Sequence, residues 1–257
     1  MVAPDSSAIT RSVAVQAEPR PYTSSVVEPK AKSFFASSVG TKILVGATGL
    51  LLVVYLLIHV FGNLLYLLGP GMFNGYATMM LANPLVIPVE IGLVAIFILH
   101  IYKAITNWVA NRRARPTGYY RRKWGGKPSR KTIASSTMFF SGLLMLLFIP
   151  IHVVQMKYGF GSPQEVVSAA LLGAEHDLYA IETAIFSNPL NVAFYMLVMV
   201  IVGSHLYHGV HSAFQSLGAD HPLYTRWIIL GGKVLAVLIG FGFFIIPPFS
   251  YFLGVQR

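Results

Sequence analysis

The sequence predicts an all-α membrane protein with five transmembrane helices. Its 257 residues are 55% hydrophobic and only 11% charged, and the mean hydropathy is +0.64. A soluble domain carries about 25% charged residues. The apolar runs are long and lack the alternation of period two that membrane strands show. The chain contains no cysteine, which excludes disulfides and cysteine-held cofactors.

Residues 1–40 form a polar N-terminal extension rich in Ser, Ala, Val and Pro, which we expect to be disordered and cytoplasmic. They lack the charged start and apolar stretch of a secretory signal peptide. The five-helix domain occupies 41–257, and each of its apolar segments reaches the roughly 20 residues that a spanning helix needs. We expect the spans at about 43–68, 84–112, 132–157, 189–217 and 226–253.

The connection between the third and fourth spans contains one further helical pattern. The stretch "SPQEVVSAALLGAEHDLYAIETAIFSNP" predicts a short amphipathic helix at the membrane interface, starting at Ser162 or Pro163. Its partial apolar face would consist of Val166, Ala169, Ala170 and Leu171.

The basic residues are concentrated in one loop, which gives the expected orientation. Of the 19 Lys and Arg residues behind the net charge of +10, nine lie between Arg112 and Lys131. Segment 69–83 has none, and segment 157–188 has one base against four acids. The positive-inside rule places the basic loop and the N-terminus in the cytoplasm and the C-terminus outside. The loop suits anionic lipid or a cytoplasmic protein partner, and this distribution argues against nucleic acid.

Histidines recur inside four consecutive spans. His59, His100 and His152 lie in the first, second and third spans, and the fourth contains His205 and His208. An imidazole in hydrocarbon requires a partner, and a single one is often satisfied by a hydrogen bond to a neighbouring helix. Repetition over four helices instead favours a shared functional site.

Depth along the helices sorts these histidines into two pairs. At 1.5 Å per residue from the expected cytoplasmic ends, His59 lies at about 24 Å and His152 at about 30 Å. His100 and His205 lie at about 18 Å and about 20 Å. We call His59 and His152 the outer pair, and His100 and His205 the inner pair.

Two imidazoles at equal depth suit the axial positions of a b-type haem. Zinc would require three or four ligands close together, usually with cysteine or carboxylate. We therefore expect the first four helices to form a haem-binding bundle with two stacked haems, and the fifth helix to lie outside it. The small residues Gly62, Ala104 and Gly209 near the candidates suit either a porphyrin edge or ordinary helix packing. A haem-free anchor, or a transporter with a histidine proton relay, remains an alternative.

The sequence also resembles a known family between about Phe34 and Phe252. The matching pieces, in chain order, are "LLIHVFGNL", "FNGYA", "NPLV", "ILHIYKA", "NRRARPTGY", "FIPIHVV" and "HLYHGVHSAFQSLG". They resemble the cytochrome b membrane anchor of succinate dehydrogenase and fumarate reductase (succinate:quinone oxidoreductase), in the branch with one five-helix, two-haem subunit.

The resemblance implies haem ligands, partners and a location. Carried over residue by residue, His59 and His152 would bind the iron of the outer haem, and His100 and His205 that of the inner haem. The partners would be a flavoprotein with FAD and an iron–sulfur subunit on the cytoplasmic side of a bacterial inner membrane. The substrate in the membrane would be a quinone, with menaquinone expected, and the direction of the reaction stays open. A di-haem subunit of a hydrogenase or formate dehydrogenase is the alternative.

This chain lacks acidic residues at two places where members of the resembled family carry them. Some relatives carry an acid near "FNGYA" and a Glu two residues before the fourth ligand, where this chain has only Asn74 and Tyr76, and Gly203. We expect quinone chemistry near the outer pair, and Glu90 is the candidate for proton delivery because it is the one acid within a predicted span. The quinone and proton candidates are Glu90, Asn63, Asn74, Tyr76 and Gln155.

Three basic residues could lie near the inner haem or the interface. His208 and Lys233 are candidate contacts of a haem propionate, although Lys233 could instead extend to the membrane surface. His211 lies nearer the interface, where we expect a solvated side chain.

Overall fold

The computed structural model describes residues 33–115, 117, 132–172 and 177–253. Most of the expected disordered extension and of the basic loop therefore lies outside the described residues. In the described parts every regular element is helical. The α-helices are α1 (Ser38–Leu64), α2 (Pro70–Ala82), α3 (Val86–Arg113), α4 (Ile133–Tyr158), α5 (Gln164–Leu172), α6 (Leu178–Phe186), α7 (Pro189–Ser216), α8 (Thr225–Phe244) and α9 (Ile246–Leu253).

Five stretches of this helical chain are long and apolar enough to cross a membrane. They are Ser38–Leu68, Val86–Arg113, Ile133–Tyr158, Pro189–Ser216 and Thr225–Leu253. The predicted fold class and the number of spans are therefore confirmed, and the chain is a multi-pass membrane protein. The ends agree with the predicted ones to within a few residues, except that α1 begins earlier, at Ser38.

Local chemistry explains where the long helices begin and end. The Ser37 hydroxyl accepts a hydrogen bond from the Gly40 amide at 3.0 Å and caps α1. Thr132 and Ser135 form a reciprocal capping box at the start of α4. That helix ends at Gly159, whose φ of 67° is in the left-handed region that glycine tolerates.

The long helices pack as a ring with one helix outside it. Helix α1 contacts α3 and α7, α7 contacts α4, and α3 touches α4 more lightly. Helix α1 is therefore diagonal to α4, and α3 is diagonal to α7. Helix α8 packs most extensively on α7 and also contacts α1, so the last span lies outside the ring of four.

Small residues allow α7 and α8 to approach closely. A Cβ atom on Gly240 would lie 3.1 Å from the Cα of Gly203, and one on Gly232 would lie 3.2 Å from the Cβ of Val210. In lipid, where helices gain little from hydrophobic burial, such contacts supply much of the association energy. Gly203 therefore has a packing role.

The short helices α2, α5, α6 and α9 pack together at one end of the bundle, and we call it the capped end. Segment 69–83, predicted as a loop, contains α2, which starts at Pro70 and buries Phe73 and Ala77. Between the third and fourth spans, α5 lies where the short helix was predicted, and α6 follows it as a second helix that the sequence analysis did not predict. Asp177 caps α6 by accepting a hydrogen bond from the Ala180 amide.

Helix α6, which was not predicted, is buried in the bundle. Ile181, Ile185 and Phe186 are each at most 2% exposed. Helix α5 begins one residue after Pro163, and Ala170 on it is buried, whereas the side chains of Ala169 and Leu171 are outside the described set.

Tyr66 joins three elements at the capped end. Its hydroxyl lies 2.6 Å from Thr183 Oγ1 on α6 and 2.7 Å from Ser250 Oγ on α9. Its ring stacks on Tyr179 with centroids 4.3 Å apart. The side chain is fully buried, so these contacts hold the end of the first span, α6 and α9 together.

We expect Gly240→Leu to destabilise the protein, because the added side chain meets the backbone of α7. Overpacking of this kind costs about 1–3 kcal/mol. Gly231→Leu on the same helix is the matched control, since a Cβ there meets nothing within 4 Å. Thermal unfolding in detergent should show a lower midpoint for Gly240→Leu alone, and equal midpoints in both variants would contradict the close α7–α8 contact.

Candidate functional site

The two inner histidines each meet a hydroxyl on a neighbouring helix. Nδ1 of His100 on α3 lies 3.1 Å from Thr48 Oγ1 on α1. Nδ1 of His205 on α7 lies 2.9 Å from Ser141 Oγ on α4. Thr48 and Ser141 are both buried, at 5% and 7% exposure. Each inner imidazole is therefore anchored through Nδ1.

Glycines lie beside the same two rings. A Cβ atom on Gly49 would lie 3.2 Å from Cε1 of His100, and one on Gly142 would lie 3.5 Å from Cε1 of His205. The first distance is tighter than ordinary van der Waals contact, so even alanine would press on His100. Each glycine directly follows the residue that provides the hydroxyl.

The outer histidines come from the other two diagonal helices and lie close together. The rings of His59 on α1 and His152 on α4 have centroids 5.9 Å apart and an interplanar angle of 78°. Two imidazoles that share one metal ion, each nitrogen at about 2 Å, have centroids about 6 Å apart. The separation of the outer pair therefore fits one metal between two imidazoles.

An aromatic ring supports each outer histidine from its own helix. Tyr55 stacks on His59 with centroids 5.3 Å apart, and Phe148 stacks on His152 at 5.4 Å. Both aromatic residues lie four positions before the histidine, which is the spacing of neighbours on one helix face. Each histidine of the outer pair therefore has the same kind of aromatic neighbour.

The hydrogen bonds of the outer pair fit a metal less well than its distance does. Asn63 Nδ2 donates to the backbone oxygen of His59 at 2.8 Å and lies 3.2 Å from His59 Nδ1. With the amide donating, Nδ1 accepts and the proton of the neutral ring is on Nε2. Coordination through Nε2 would require the Asn63 amide to turn over. His152 Nδ1 is buried and has no hydrogen-bond partner within the described residues.

These contacts reveal an internal repeat that sequence analysis missed. The stretch "TGLLLVVYLLIHV" of 48–60 aligns without gaps with "SGLLMLLFIPIHV" of 141–153. The hydroxyl, the glycine, the aromatic residue and the histidine occupy the same positions in both. The inner histidines also share a pattern, "HIYKA" on α3 and "HLYHG" on α7. The ring of four is therefore two related helix pairs, α1 with α3 and α4 with α7.

Two polar candidates near the outer pair have structural partners. Gln155 Oε1 accepts a hydrogen bond from the Tyr195 hydroxyl at 2.9 Å, and the Tyr195 ring lies 6.0 Å from that of His152. Tyr76 lies against α1, because a Cβ on Gly62 would be 2.5 Å from its Cε1. Gly62, considered for a porphyrin edge, thus packs on Tyr76.

Asn74 and Glu90 lie elsewhere at the capped end. Asn74 joins α2 to α6 by donating to Asp177 Oδ1 at 2.8 Å and accepting from the Tyr179 amide at 3.0 Å. Glu90 is about half exposed and pairs with Lys157, with Nζ 3.0 Å from Oε2. An exposed pair of this kind contributes little to stability.

The remaining candidates lie near the inner pair. The rings of His208 and His211 form an edge-to-face contact with centroids 4.9 Å apart. His211 is only 8% exposed, so the expectation of a solvated side chain was wrong, because α8 covers this face of α7. Lys233 Nζ lies 5.2 Å from the centre of the Tyr207 ring. Gly209, like Gly62, has a packing neighbour, Met138.

Sequence analysis also missed a buried acid. Glu182 on α6 is 6% exposed and lies within electrostatic reach of Tyr66 and Tyr195. Burial raises the pKa of Glu182 to about 8, so its carboxyl is mostly protonated at neutral pH. The signal was the apolar spacing of Ile181 and Ile185 around it.

Comparison with protein-family models, with curated proteins and with solved structures finds no match. Within the described residues, no group of three or more His, Cys, Asp or Glu side chains could hold a metal ion. A site with two histidines per iron needs only two protein ligands. The residues present fit an iron held by two histidines. At the inner pair the fit is in the hydrogen bonds at Nδ1, and at the outer pair it is in the distance between the two rings.

We expect the stability of the protein to fall as the pH rises from about 4.5 to about 8, because folding holds a proton on Glu182 that the unfolded chain releases. Glu182→Gln should remove this part of the pH dependence and be the more stable form above pH 8. Unfolding midpoints at pH 5, 7 and 9 measure the effect. Glu165→Gln, at an exposed site on α5, should follow the parent protein, and a parallel course for all three proteins would argue against a buried neutral carboxyl.

Proposed function

We propose that the chain is the membrane-anchor subunit of a succinate:quinone oxidoreductase. It would hold two b haems, one between the two histidines of the inner pair and one between those of the outer pair. The observation that supports this is that four helices contribute four histidines as two diagonal pairs. Bound haem iron would supply reversible one-electron transfer between a cytoplasmic iron–sulfur partner and a membrane quinone. His100 and His205 would hold the inner haem, and His59 and His152 the outer haem.

The charge distribution supports the proposed orientation and partners. The nine basic residues of segment 112–131 would lie on the cytoplasmic side of a bacterial inner membrane, where the flavoprotein and the iron–sulfur subunit would dock. The capped end, with its acids, would then face outward. Arg112 and Arg113 at the end of α3 also interact favourably with that helix terminus.

The capped end is the proposed place for quinone chemistry. A quinone that accepts two electrons takes up two protons to become the quinol, so groups that hold protons must lie near it. Besides Asp177, which caps α6, the carboxyl groups there include Glu90 at the exposed surface of the bundle and Glu182 in the interior. Asn63, Tyr76 and Gln155 would provide hydrogen bonds, and Asn74 would hold α2 and α6 in place.

A histidine proton relay is the second candidate function. The hydrogen bond from Asn63 to Nδ1 of His59 favours it, because the proton on Nε2 is then free to be passed on. The subunit of a hydrogenase or formate dehydrogenase would use the same residues as the first proposal and differ only in its partner. Co-purifying subunits would separate those two complexes.

We expect the purified full chain to show a b-type reduced-minus-oxidised spectrum with two haems per chain. His59→Leu or His152→Leu should remove the outer signal first, and His100→Leu or His205→Leu the inner one. His221→Leu, at an exposed position after α7, is the control and should keep both. A preparation with full helical content and no haem would exclude this function. Loss of the inner signal in His208→Leu but not in His205→Leu would move the ligand to His208.

We expect Glu90→Gln to keep both haems and the succinate–dye activity of the complex but to lose most of its quinone reduction, because one proton donor is removed. Lys157→Met, which breaks the same ion pair without removing an acid, is the control and should retain activity. Full quinone reduction in Glu90→Gln, together with its loss in Glu182→Gln, would transfer the role to Glu182.

A further inference from the structure

We propose that Thr48 and Ser141 are positioning residues that hold His100 and His205 in the Nδ1–H tautomer, which leaves Nε2 of each ring free as a metal ligand. The inference deepens the proposed function, because the haem iron would be the metal. The assignment of the tautomers themselves depends only on the hydrogen bonds of the chain.

The direction of each hydrogen bond follows from the single proton of each hydroxyl. Thr48 Oγ1 donates to the backbone oxygen of Leu44 at 2.6 Å, and Ser141 Oγ donates to that of Met138 at 3.0 Å. A hydroxyl has one proton to donate and two lone pairs with which to accept. We assign that proton to the carbonyl of the hydroxyl's own helix, so that each hydroxyl accepts a hydrogen bond from the histidine. Under this assignment Nδ1 of His100 and of His205 carries the ring proton.

The two hydroxyls are equivalent, which indicates a shared role rather than a chance contact. Each is followed by the glycine that lies against the imidazole, and each precedes the outer histidine of its own helix by eleven residues. Bonding to the helix's own carbonyl satisfies a hydroxyl in a membrane helix without any histidine. The bond to the imidazole is thus an addition that serves the ring.

In the part of the chain that the structure describes, the outer pair lacks the hydrogen bonds to a hydroxyl that the inner pair has at Nδ1. Asn63 presents a donor to His59 Nδ1, and His152 Nδ1 has no hydrogen-bond partner within the described residues. The inner rings, by contrast, are oriented and protonated as axial ligands require. Outer-shell hydrogen bonds of this kind fix ring orientation and increase ligand basicity, and their loss typically costs about 10- to 100-fold in metal affinity.

The first test needs no haem. Full-length protein from a host that cannot make haem is labelled with ¹⁵N-histidine, and the ring signals are assigned with His100→Gln and His205→Gln. Both rings should show protonated Nδ1 and bare Nε2. In Thr48→Val the His100 signal should shift toward a tautomer mixture, and in Ser141→Ala the His205 signal should do so. Thr137→Val removes a hydroxyl of α4 that bonds only to its own helix, and it should change neither.

The second test measures haem binding to the same variants. Thr48→Val and Ser141→Ala should weaken haem at the inner pair about 10- to 100-fold and leave the outer pair unchanged. They should also change the ferric electron paramagnetic resonance signal of the inner centre, which loss of packing alone would not do while haem is bound. Equal weakening at both centres would contradict the inference.

The outcomes separate this inference from the function on which it depends. Nε2–H tautomers at His100 and His205 would overturn the inference even if two haems bind. Nδ1–H tautomers in a chain that never binds haem would overturn the proposed function and the ligand role, while the hydroxyls would still hold the rings. Nδ1–H tautomers that persist in both variants would remove Thr48 and Ser141 from any positioning role.

Discussion

The cost of placing imidazole in hydrocarbon is the constraint on which this bundle depends. A buried ring nitrogen without a partner is costly, because lipid offers none. The contact of Thr48 with His100 joins α1 to α3, and that of Ser141 with His205 joins α4 to α7. The same polar groups that make the inner site therefore also connect helices that gain little from hydrophobic burial against each other in lipid.

At the capped end, the cost of burying polar groups is reduced in a different way. Glu182 avoids it by keeping its proton, since burial raises its pKa. Tyr66 avoids it with two hydroxyl partners from distant parts of the chain. A neutral acid and a closed hydrogen-bond network allow α6 to lie among the ends of the spans, so this end of the bundle is lined by buried polar groups.

The sequence predicted the spans because length and hydropathy decide them. It also predicted that His59 and His152 lie near each other, because the rise per residue gives the depth of each along its helix. Helix α6 was not predicted from the sequence. The acids near Ile181 suggest a surface segment, whereas the apolar residues of the helix are buried. Thr48 and Ser141 escaped notice because a hydroxyl that bonds to its own helix carries no composition signal. Only the alignment of the two stretches around them would have revealed the pair.

The repeat has a consequence for the ancestry and dissection of the molecule. Each helix pair brings one hydroxyl with the glycine that follows it, one inner histidine and one outer histidine, which is the pattern that duplication of a two-helix ancestor would leave. Since α1 and α7 are packed together, the two helix pairs have a ready interface. A chain cut between α3 and α4 would then resemble a heterodimer, and its two fragments should reassemble when they are produced together.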